Sequence, residues 1–374
     1  VSFFRVYSGD LASDTQAVNL NKEKTERVGQ LFLFRGKTQI PITKAITGDI
    51  AAIAKLGDTN TGDTLGDKDN KYKMQGIDYP IPMASFAVEP RSKNDEEKVG
   101  AGLAKFLEED PTFRVERNAE TKQTLIYGMG DTHLEIIVSR LAKKFGVDVD
   151  LTKPKIPYKE TIKGSAEVEG KHKKQSGGRG QYGHVKINFE PLPRGEQFEF
   201  VDKIFGGSVP RNYIPAVEKG LIEAMEEGIL AGFPAVDIRA TLLDGSYHNV
   251  DSSEMAFKIA ASLAYKKGLQ EANPILLEPI YNVEVKVPEN FMGDIMGDMP
   301  SRRGRVVGMD PQTDGTQVIR AQVPLAEMYG YAVDLRSMTQ GRGEFNMEYS
   351  HYEEVPANIA EKIIAEHKKA TSEE

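Results

Sequence analysis

One order of secondary structure is predicted twice in this chain of 374 residues, and it restricts the fold more than any other feature. The first copy runs strand, helix, strand, strand, helix, strand, with elements predicted at 84–88, 94–109, 113–117, 123–127, 132–145 and 147–151. Residues 279–352 repeat that order with a different sequence. A βαββαβ order is the ferredoxin-like motif. We therefore predict one ferredoxin-like domain at 79–153 and a second at 279–374, which ends in a helix from Pro356.

The two other regions have different patterns. Residues 1–78 alternate short apolar clusters with turns rich in Gly, Asp, Asn and Thr, which predicts a small all-β barrel without a long helix. Residues 154–278 mix strand-like segments with helices near 213–231 and 252–272, which predicts an α+β arm domain with long loops at one end. The predicted fold class is therefore multi-domain α+β: a small all-β barrel, a ferredoxin-like domain, the arm domain, and a second ferredoxin-like domain.

Local patterns predict two helix starts and one further strand. Asn94-Asp95-Glu96-Glu97 resembles a capping box, and so does Asp251-Ser252-Ser253-Glu254, so a helix is predicted to begin at each. One continuous strand is predicted at 158–169, at the start of the arm domain.

The composition excludes several kinds of site. The chain has no cysteine, which excludes disulfides, cysteine-ligated zinc, iron–sulfur clusters and thiol nucleophiles, and suits a reducing compartment such as the cytoplasm. No apolar run approaches the roughly 18 residues of a membrane span, so we expect no membrane partner. Because the chain starts at Val1, inside a strand-like run and without a leader, we expect a piece of a longer protein.

Motifs for nucleotide binding are incomplete. Gly36-Lys37-Thr38 resembles the end of a P-loop, but Leu31 stands where the first glycine is required. Lys24 stands where a guanine-reading NKxD motif needs its aspartate. The GxGxxG spacing of 178–183 precedes a predicted strand, so no helix dipole would face a pyrophosphate. We expect no nucleotide cofactor in this chain.

Catalytic and metal motifs also fail. Pro210 interrupts the one candidate nucleophile elbow, and the six histidines form no HExxH pattern. His248 and three nearby carboxylates (Asp244, Asp251, Glu254) could form a metal cluster, but a capped helix start explains the same residues. We predict no catalytic residue and no metal site. A free-standing enzyme built on ferredoxin-like domains stays the alternative from another class of protein.

The most distinctive local segment is 171–186, which holds five Lys or Arg residues and no acidic residue in a chain of net charge −8. Four glycines between Gly177 and Gly183 make it bendable and let its backbone approach phosphates closely. Such a loop suits phosphate and 2′-OH contacts with RNA. The alternative is a solvated, flexible hairpin end.

Two further loops are polar or basic. One, at 244–250, lies between a predicted strand and a helix and contains His248. The other, at 301–305, contains three arginines at a predicted turn. Each is ordinary by itself, but three such loops on an acidic chain favour focused contact with structured RNA.

The sequences of these loops and of several other segments closely resemble those of bacterial elongation factor G. The residues that carry the resemblance are Lys174 to Val185, Gly245 to His248, Val250 to Glu254, Leu277-Glu278-Pro279, Leu335-Arg336-Ser337, Gly341-Arg342-Gly343 and Ala87-Val88-Glu89-Pro90. The resemblance covers essentially the whole chain. It implies domains two to five of a translational GTPase, without the N-terminal GTPase domain, which would bind GTP and Mg²⁺ in the longer protein.

The resemblance also assigns roles to the loops, in promoting movement of tRNA and mRNA on the ribosome. It implies a tip that contacts tRNA and mRNA at the decoding centre, formed by Lys173, Lys174, Gln175, Ser176, Gly177, Gly178, Arg179, Gly180, Gln181, Ser246, Tyr247 and His248. It makes Arg302, Arg303 and Arg305 possible contacts to large-subunit rRNA. The barrel would touch small-subunit rRNA and pack on the GTPase domain. A cytoplasmic monomer is expected.

Two stretches depart from the family pattern. Asp131-Thr132 stands where most elongation factor G sequences have Glu-Leu, and 31–37 also differs. These departures favour a paralogous branch of the family. A ribosomal-protection or ribosome-recycling factor of the same architecture therefore stays an alternative to a translocation factor, although the intact glycine loop favours translocation.

Overall fold

The computed structural model describes residues 1–69, 72–175 and 180–373. The chain divides into two compact units. The first comprises Val1–Arg117 and Gln123–Thr152, and the second comprises Asn118–Lys122 and Lys153–Glu374. No helix in the described ranges is long and apolar enough to cross a membrane.

Nine short strands form the N-terminal region of the first unit. They are β1 (Ser2–Arg5), β2 (Asp10–Ala12), β3 (Thr15–Asn19), β4 (Lys24–Val28), β5 (Leu31–Arg35), β6 (Thr38–Ile42), β7 (Lys44–Ile46), β8 (Ile50–Ile53) and β9 (Leu65–Gly66). They pair in the orders β1-β8-β5-β6, β4-β3-β9 and β2-β7. Val28, Leu31 and Ile53 are fully buried in one apolar core. No helix occurs in 1–69, which confirms the all-β prediction.

The rest of the first unit is the first ferredoxin-like domain. Its elements are β10 (Ala84–Pro90), α1 (Glu96–Glu109), β11 (Arg114–Arg117), β12 (Thr124–Gly128), α2 (Asp131–Phe145) and β13 (Val149–Thr152). The sheet order is β11-β12-β10-β13 and every pair is antiparallel. Val99, Leu103 and Phe106 recur at helical spacing and bury one face of α1 in the core.

The entry to α1 differs from the prediction. A single 3-10 turn at Lys93–Asp95 precedes the helix, and the N-cap residue Asp95 makes no side-chain hydrogen bond to the helix. Its carboxylate instead accepts from Lys98 Nζ at 3.0 Å. The capping box predicted from Asn94 is therefore wrong, because the acidic side chain that would cap the helix is engaged by a lysine one turn further on.

The second unit begins with the arm domain. Its elements are β14 (Lys159–Ile162), β15 (Ala166–Lys174), β16 (Gln181–Pro191), β17 (Phe198–Asp202), α3 (Ile214–Glu227), β18 (Ile238–Ser246) and α4 (Glu254–Glu271). Its sheet has the order β15-β16-β18-β17, in which β17 and β18 run parallel and the other pairs are antiparallel. Both helices contribute to the apolar core of this domain, with Leu221, Phe257 and Tyr265 fully buried.

The C-terminal domain repeats the first ferredoxin-like topology. Its elements are β19 (Pro274–Pro288), α5 (Met292–Ser301), β20 (Arg305–Pro311), β21 (Thr316–Pro324), α6 (Tyr331–Met338), β22 (Glu344–Glu354) and a last helix, α7 (Ala357–Glu373). β19 lies between β21 and β22, and β20 pairs with the other edge of β21. Numbered within each domain, both sheets have the order 2-3-1-4, as the repeated pattern predicts.

The strand predicted at 158–169 is in fact two strands in two sheets. Residues 159–162 form β14, which pairs with the first residues of β19 in the C-terminal sheet. After a bend at Lys163 and Gly164 the chain enters β15 in the arm sheet. β19 itself starts at Pro274, inside the predicted arm domain, so this strand crosses the predicted boundary between 278 and 279.

Candidate nucleic-acid interface

The strand directions bring three loops to one end of the arm sheet. β15 ends and β16 begins at this end, and β18 also ends here because His184 of β16 pairs antiparallel with Ser246. β17 runs parallel to β18, so the loop after Asp202 leaves towards the same end. We call this end the arm tip, formed by the described residues 173–175 and 180–181 of the first loop together with 246–253 and 203–210.

Hydrogen bonds join the first two loops. The Gly180 N–H donates to Asp251 Oδ1 at 3.0 Å, and the Tyr182 N–H donates to the Asp251 carbonyl at 2.9 Å. The Ser252 hydroxyl donates to the Tyr182 carbonyl at 2.9 Å and accepts from the His248 N–H at 2.9 Å. The hairpin end and the His248 loop, which are about 70 residues apart in sequence, therefore form one bonded surface.

His248 is exposed at this surface, with 56% of its side chain accessible. Its Nδ1 lies 3.3 Å from the amide nitrogen of Val250 and 3.2 Å from that of Asp251. The Asp251 carboxylate also faces Nδ1, at 3.3 Å. The loop therefore presents the Nε2 edge of an imidazole whose orientation is set by these contacts at Nδ1.

The Asp251 carboxylate has a different role from the one predicted. The N-cap of α4 is Ser253, whose hydroxyl accepts from the Ala256 N–H at 3.2 Å, so the capping box predicted to start at Asp251 does not form. Asp251 instead holds Gly180 and lies 3.3 Å from His248 Nδ1. Among the described residues no group of His, Asp and Glu could hold a metal ion.

The predicted tip residues that the structure describes are mostly accessible. Lys173, Lys174, Gln175, Gln181 and Tyr247 are exposed, and Gly180 and Ser246 are half-buried. Four predicted tip residues lie outside the described residues, namely Ser176, Gly177, Gly178 and Arg179.

The base of the tip is closely packed. A Cβ at Gly170 would lie 2.1 Å from the Ala260 carbonyl oxygen, and one at Gly183 would lie 2.4 Å from that of Ala256. Both contacts are with the backbone of α4, so the helix lies directly on the β15–β16 hairpin at these two glycines. The loops are thus carried on a rigid sheet and helix, the arrangement that suits a precisely placed contact surface.

Negative charge also lies on the arm sheet directly below the tip. Asp244, near the end of β18, is exposed. The Ser208 hydroxyl and the Gly245 amide beside it hold the pKa of Asp244 below its usual range. Asp244 pairs with Lys186 across β16 and β18, so the sheet directly below the tip carries negative as well as positive charge.

The third loop of the arm tip was not predicted as part of it. In the sequence this segment is noticeable only as a candidate nucleophile elbow that Pro210 interrupts. Its signal was present, because Lys203 to Arg211 contains two cations, a Gly206-Gly207 pair and no acidic residue. Its place at the same end of the sheet as the His248 loop could not be predicted, since it depends on the parallel pairing of β17 with β18.

The three arginines of the 301–305 loop have different environments. Arg302 donates from Nε to Asp298 at 2.8 Å and from Nη2 to Asp334 at 2.6 Å. Arg303 is held by two further carboxylates, and only Arg305 has a largely exposed side chain, at 69%. Contact between these arginines and rRNA stays a prediction, and the structure gives Arg302 and Arg303 partners inside their own domain.

Comparisons with known proteins agree with this architecture. Four models of one family match successive parts of the chain: elongation factor G domain 2 at 1–68, domain III at 79–153, domain IV at 154–273 and the C-terminus at 275–363. The arm domain with its tip is the part that matches domain IV.

A solved structure is similar over almost the whole chain. It is a crystal structure of a protein from Thermus thermophilus, with 40% sequence identity and a TM-score of 0.80. The match covers 98% of this chain and 55% of the Thermus chain, so this chain spans about half the length of that protein. The four matched domains occur here in one order and together cover nearly all of the sequence. The chain therefore belongs to the elongation factor G family.

Proposed function

We propose that the chain is the ribosome-binding part of an elongation factor G-like GTPase that promotes tRNA–mRNA translocation in protein synthesis. Family membership supports a role in translation. The observation that carries the finer proposal is the arm tip, where the basic hairpin end and the His248 loop are bonded into one exposed surface. This tip contacts tRNA and mRNA at the decoding centre.

The chemistry of the tip suits RNA. Lys173 and Lys174 supply positive charge for phosphates, while Gln181 and Nε2 of His248 can bond to 2′-OH groups and base edges. Helices α3 and α4 also begin at this end of the arm domain, since the Tyr213 hydroxyl lies 3.4 Å from the Ser252 carbonyl. The positive ends of two helix dipoles add to the attraction for phosphates.

The remaining assignments concern the longer protein. GTP and Mg²⁺ bind to an N-terminal GTPase domain, which packs on the barrel. The barrel and the C-terminal domain contact small- and large-subunit rRNA, and the factor acts as a monomer in the cytoplasm. Hydrolysis in the GTPase domain then drives or commits the movement, while the tip hinders backward slipping of tRNA and mRNA.

Ribosome binding by the chain tests this proposal. We expect co-sedimentation with ribosomes that weakens with salt, log K falling by roughly 0.7–0.9 per phosphate contact for each log unit of salt. Arg179→Ala and His248→Ala should each weaken binding. Lys219→Ala, an exposed lysine on α3, is the matched control and should bind as the parent does.

The longer protein tests the step itself. In single-round translocation, Arg179→Ala and His248→Ala should slow movement without changing GTP hydrolysis. Normal translocation and normal ribosome binding by both variants would remove the tip from the mechanism. If the protein splits ribosomal subunits together with recycling factor and does not promote translocation, it is a ribosome-recycling factor. If it changes tetracycline sensitivity and does not promote translocation, it is a ribosomal-protection factor.

A further inference from the structure

Phe205 is the most exposed large apolar side chain among the described residues, with 95% of its surface accessible. Phenylalanine normally stabilises a fold through burial, and here that contribution is absent. Isolated exposed apolar residues are common, so exposure by itself carries no argument. What distinguishes Phe205 is where it lies and what surrounds it.

The loop that carries Phe205 is the third loop of the arm tip. The Lys203 N–H donates to the Leu242 carbonyl at 2.9 Å, so the chain follows β18 beyond the last residue of β17. It returns at Val209, which is buried and lies against Gly245, where an added Cβ would be 2.5 Å from Val209 Cγ2. Phe205 therefore lies on the β17 side of the tip, about 10 Å from the β16 end if neighbouring strands are about 4.8 Å apart.

Both sides of the loop are anchored, and Phe205 is held away from the core. Before it, the Ile204 N–H donates to Asp202 Oδ1 at 2.9 Å and forms a local turn. After it, Gly206 and Gly207 have φ angles of +70° and +75°, a backbone conformation that L side chains rarely adopt. The chain therefore turns sharply directly after Phe205 and returns to the core at Val209, with the ring outside the core.

The loop is also positively charged. Lys203 and Arg211 are the only ionisable side chains between 203 and 211, and both are exposed. Within the part of the chain that the structure describes, neither side chain forms an ion pair. An exposed aromatic ring between two cations is the combination that binds unpaired nucleotides, because the ring stacks on a base and the cations meet the phosphates.

We propose that Phe205 stacks on an unpaired base of the RNA at the arm tip, with Lys203 and Arg211 at the flanking phosphates. This inference rests on the proposed function and adds a third recognition loop to the two that carry it. The stacking does not read sequence, because every base has a π-face. Stacking increases the affinity for RNA and helps to fix the position of the RNA that the hairpin end and His248 contact.

The absence of tryptophan from the chain gives a direct test. Phe205→Trp introduces a single tryptophan, which can be excited apart from the tyrosines, at the proposed stacking position. We expect its fluorescence to be quenched when the chain is titrated with small ribosomal subunits carrying mRNA and P-site tRNA. The control is Ile222→Trp, a single tryptophan at an exposed position on α3, whose fluorescence should be unaffected.

Substitutions separate stacking from ordinary apolar contact. Phe205→Tyr should bind the programmed subunits as the parent does, and Phe205→Leu and Phe205→Ala should both weaken binding by roughly 5- to 100-fold. All three variants should unfold at the parent's urea midpoint, because the side chain is outside the core.

Three results would overturn the inference. If Phe205→Leu binds as tightly as the parent and Phe205→Ala does not, the ring enters a protein pocket. If every Phe205 variant binds normally and Phe205→Trp is not quenched, while His248→Ala still weakens binding, stacking is wrong and the proposed function stands. If the parent chain does not bind the programmed subunits at all, both proposals fail.

Discussion

The arm tip and the 301–305 loop are both basic in sequence, yet the fold treats their cations differently. At the tip, Lys173 and Lys174 are exposed. In the other loop, Arg303 donates to both oxygens of Glu278, at 2.6 and 2.9 Å, and to Glu327 at 2.8 Å. These carboxylates raise the pKa of Arg303. A basic cluster can therefore bind a partner or stabilise its own domain. Which of these it does depends on whether carboxylates of the same domain lie within reach of its cations.

The largest expected effect is on stability at the 301–305 loop. Glu278 is almost fully buried, with 3% of its side chain accessible, and Arg303→Met would leave its charge unpaired. We expect a loss of about 3 kcal/mol in the free energy of unfolding, measured by urea denaturation. Arg305→Met is the matched control and should change stability by less than about 0.5 kcal/mol, because that side chain is exposed.

A double variant sharpens this first test. Adding Glu278→Leu to Arg303→Met removes the unpaired buried charge, so part of the lost stability should return. Equal losses in Arg303→Met and Arg305→Met would show that the ion pairs inside the domain do not distinguish the two arginines.

The second expected effect concerns a buried anion at the base of the arm domain. Glu160 is fully buried, and its carboxylate accepts N–H bonds from Ile229, Leu230, Ala231 and Phe233 at 2.5 to 3.1 Å. Glu160→Gln replaces one acceptor oxygen by a donor, so we expect a loss of about 2 kcal/mol in unfolding experiments.

The matched control for Glu160 is Glu167→Gln, an exposed glutamate on β15, which should leave stability nearly unchanged. RNA binding at the tip should be unaffected by either variant. A Glu160→Gln protein as stable as the parent would show that the four N–H donors are satisfied without the carboxylate.

The third effect compares two histidines. His133 is bonded within its domain, with Nε2 3.0 Å from Asp110 Oδ2, whereas His248 is exposed at the tip. Burial would raise the pKa of Asp110, but hydrogen bonds from Thr112 and the nearby His133 hold it below its usual range.

A carboxylate with a lowered folded-state pKa stabilises the fold above its unfolded pKa, about 3.9, and this contribution is lost as the pH falls through the folded value. Asp110→Asn should therefore cost about 1 kcal/mol at pH 7, and the difference from the parent should shrink below about pH 4. His248→Gln, at an exposed position of the tip, should change the free energy of unfolding by less than about 0.5 kcal/mol at pH 7. A constant difference down to pH 2 would contradict this assignment.

The smallest effect on stability, with a clear effect on binding, is expected at the tip. Lys173→Ala with Lys174→Ala should change the free energy of unfolding by less than about 0.5 kcal/mol, because both side chains are exposed. If each lysine meets one phosphate, the salt dependence of ribosome binding should fall by roughly 1.4–1.8 log units per log unit of salt. An unchanged salt dependence would remove these lysines from the interface.

Most of the fold could be predicted because its signals are local. The two βαββαβ orders follow from spacing such as Val99, Leu103 and Phe106, which needs only the helical period. The predictions failed where a distant segment competed. Residues 159–162 are predicted as the start of a longer strand. In the structure they pair instead with β19, which lies more than 110 residues further along the chain. The capping box at Asn94 failed because Asp95 binds a lysine.

Two of the three loops of the candidate site could be predicted from the sequence, and the third could not. Composition marked the hairpin end and the His248 loop, and the resemblance to the family assigned them to one tip. The third loop could not be predicted as part of the tip, because its place at this end depends on β17 lying beside β18. Arg303 could not be distinguished from a tip cation, because its partners Glu278 and Glu327 are 25 and 24 residues away in the sequence. Arg302 has one partner nearby, Asp298, four residues before it.

The sequence by itself determined the order of the domains, their helices and strands, and the composition of each loop, because periodicity and charge are properties of neighbouring residues. The tertiary structure alone decided which cations have internal partners and which loops share an end. Arg303 meets Glu278 across 25 residues, and Gly180 meets Asp251 across 71. Such contacts depend on strand pairing between remote segments, and pairing is set by how the whole domain packs rather than by any one stretch of chain.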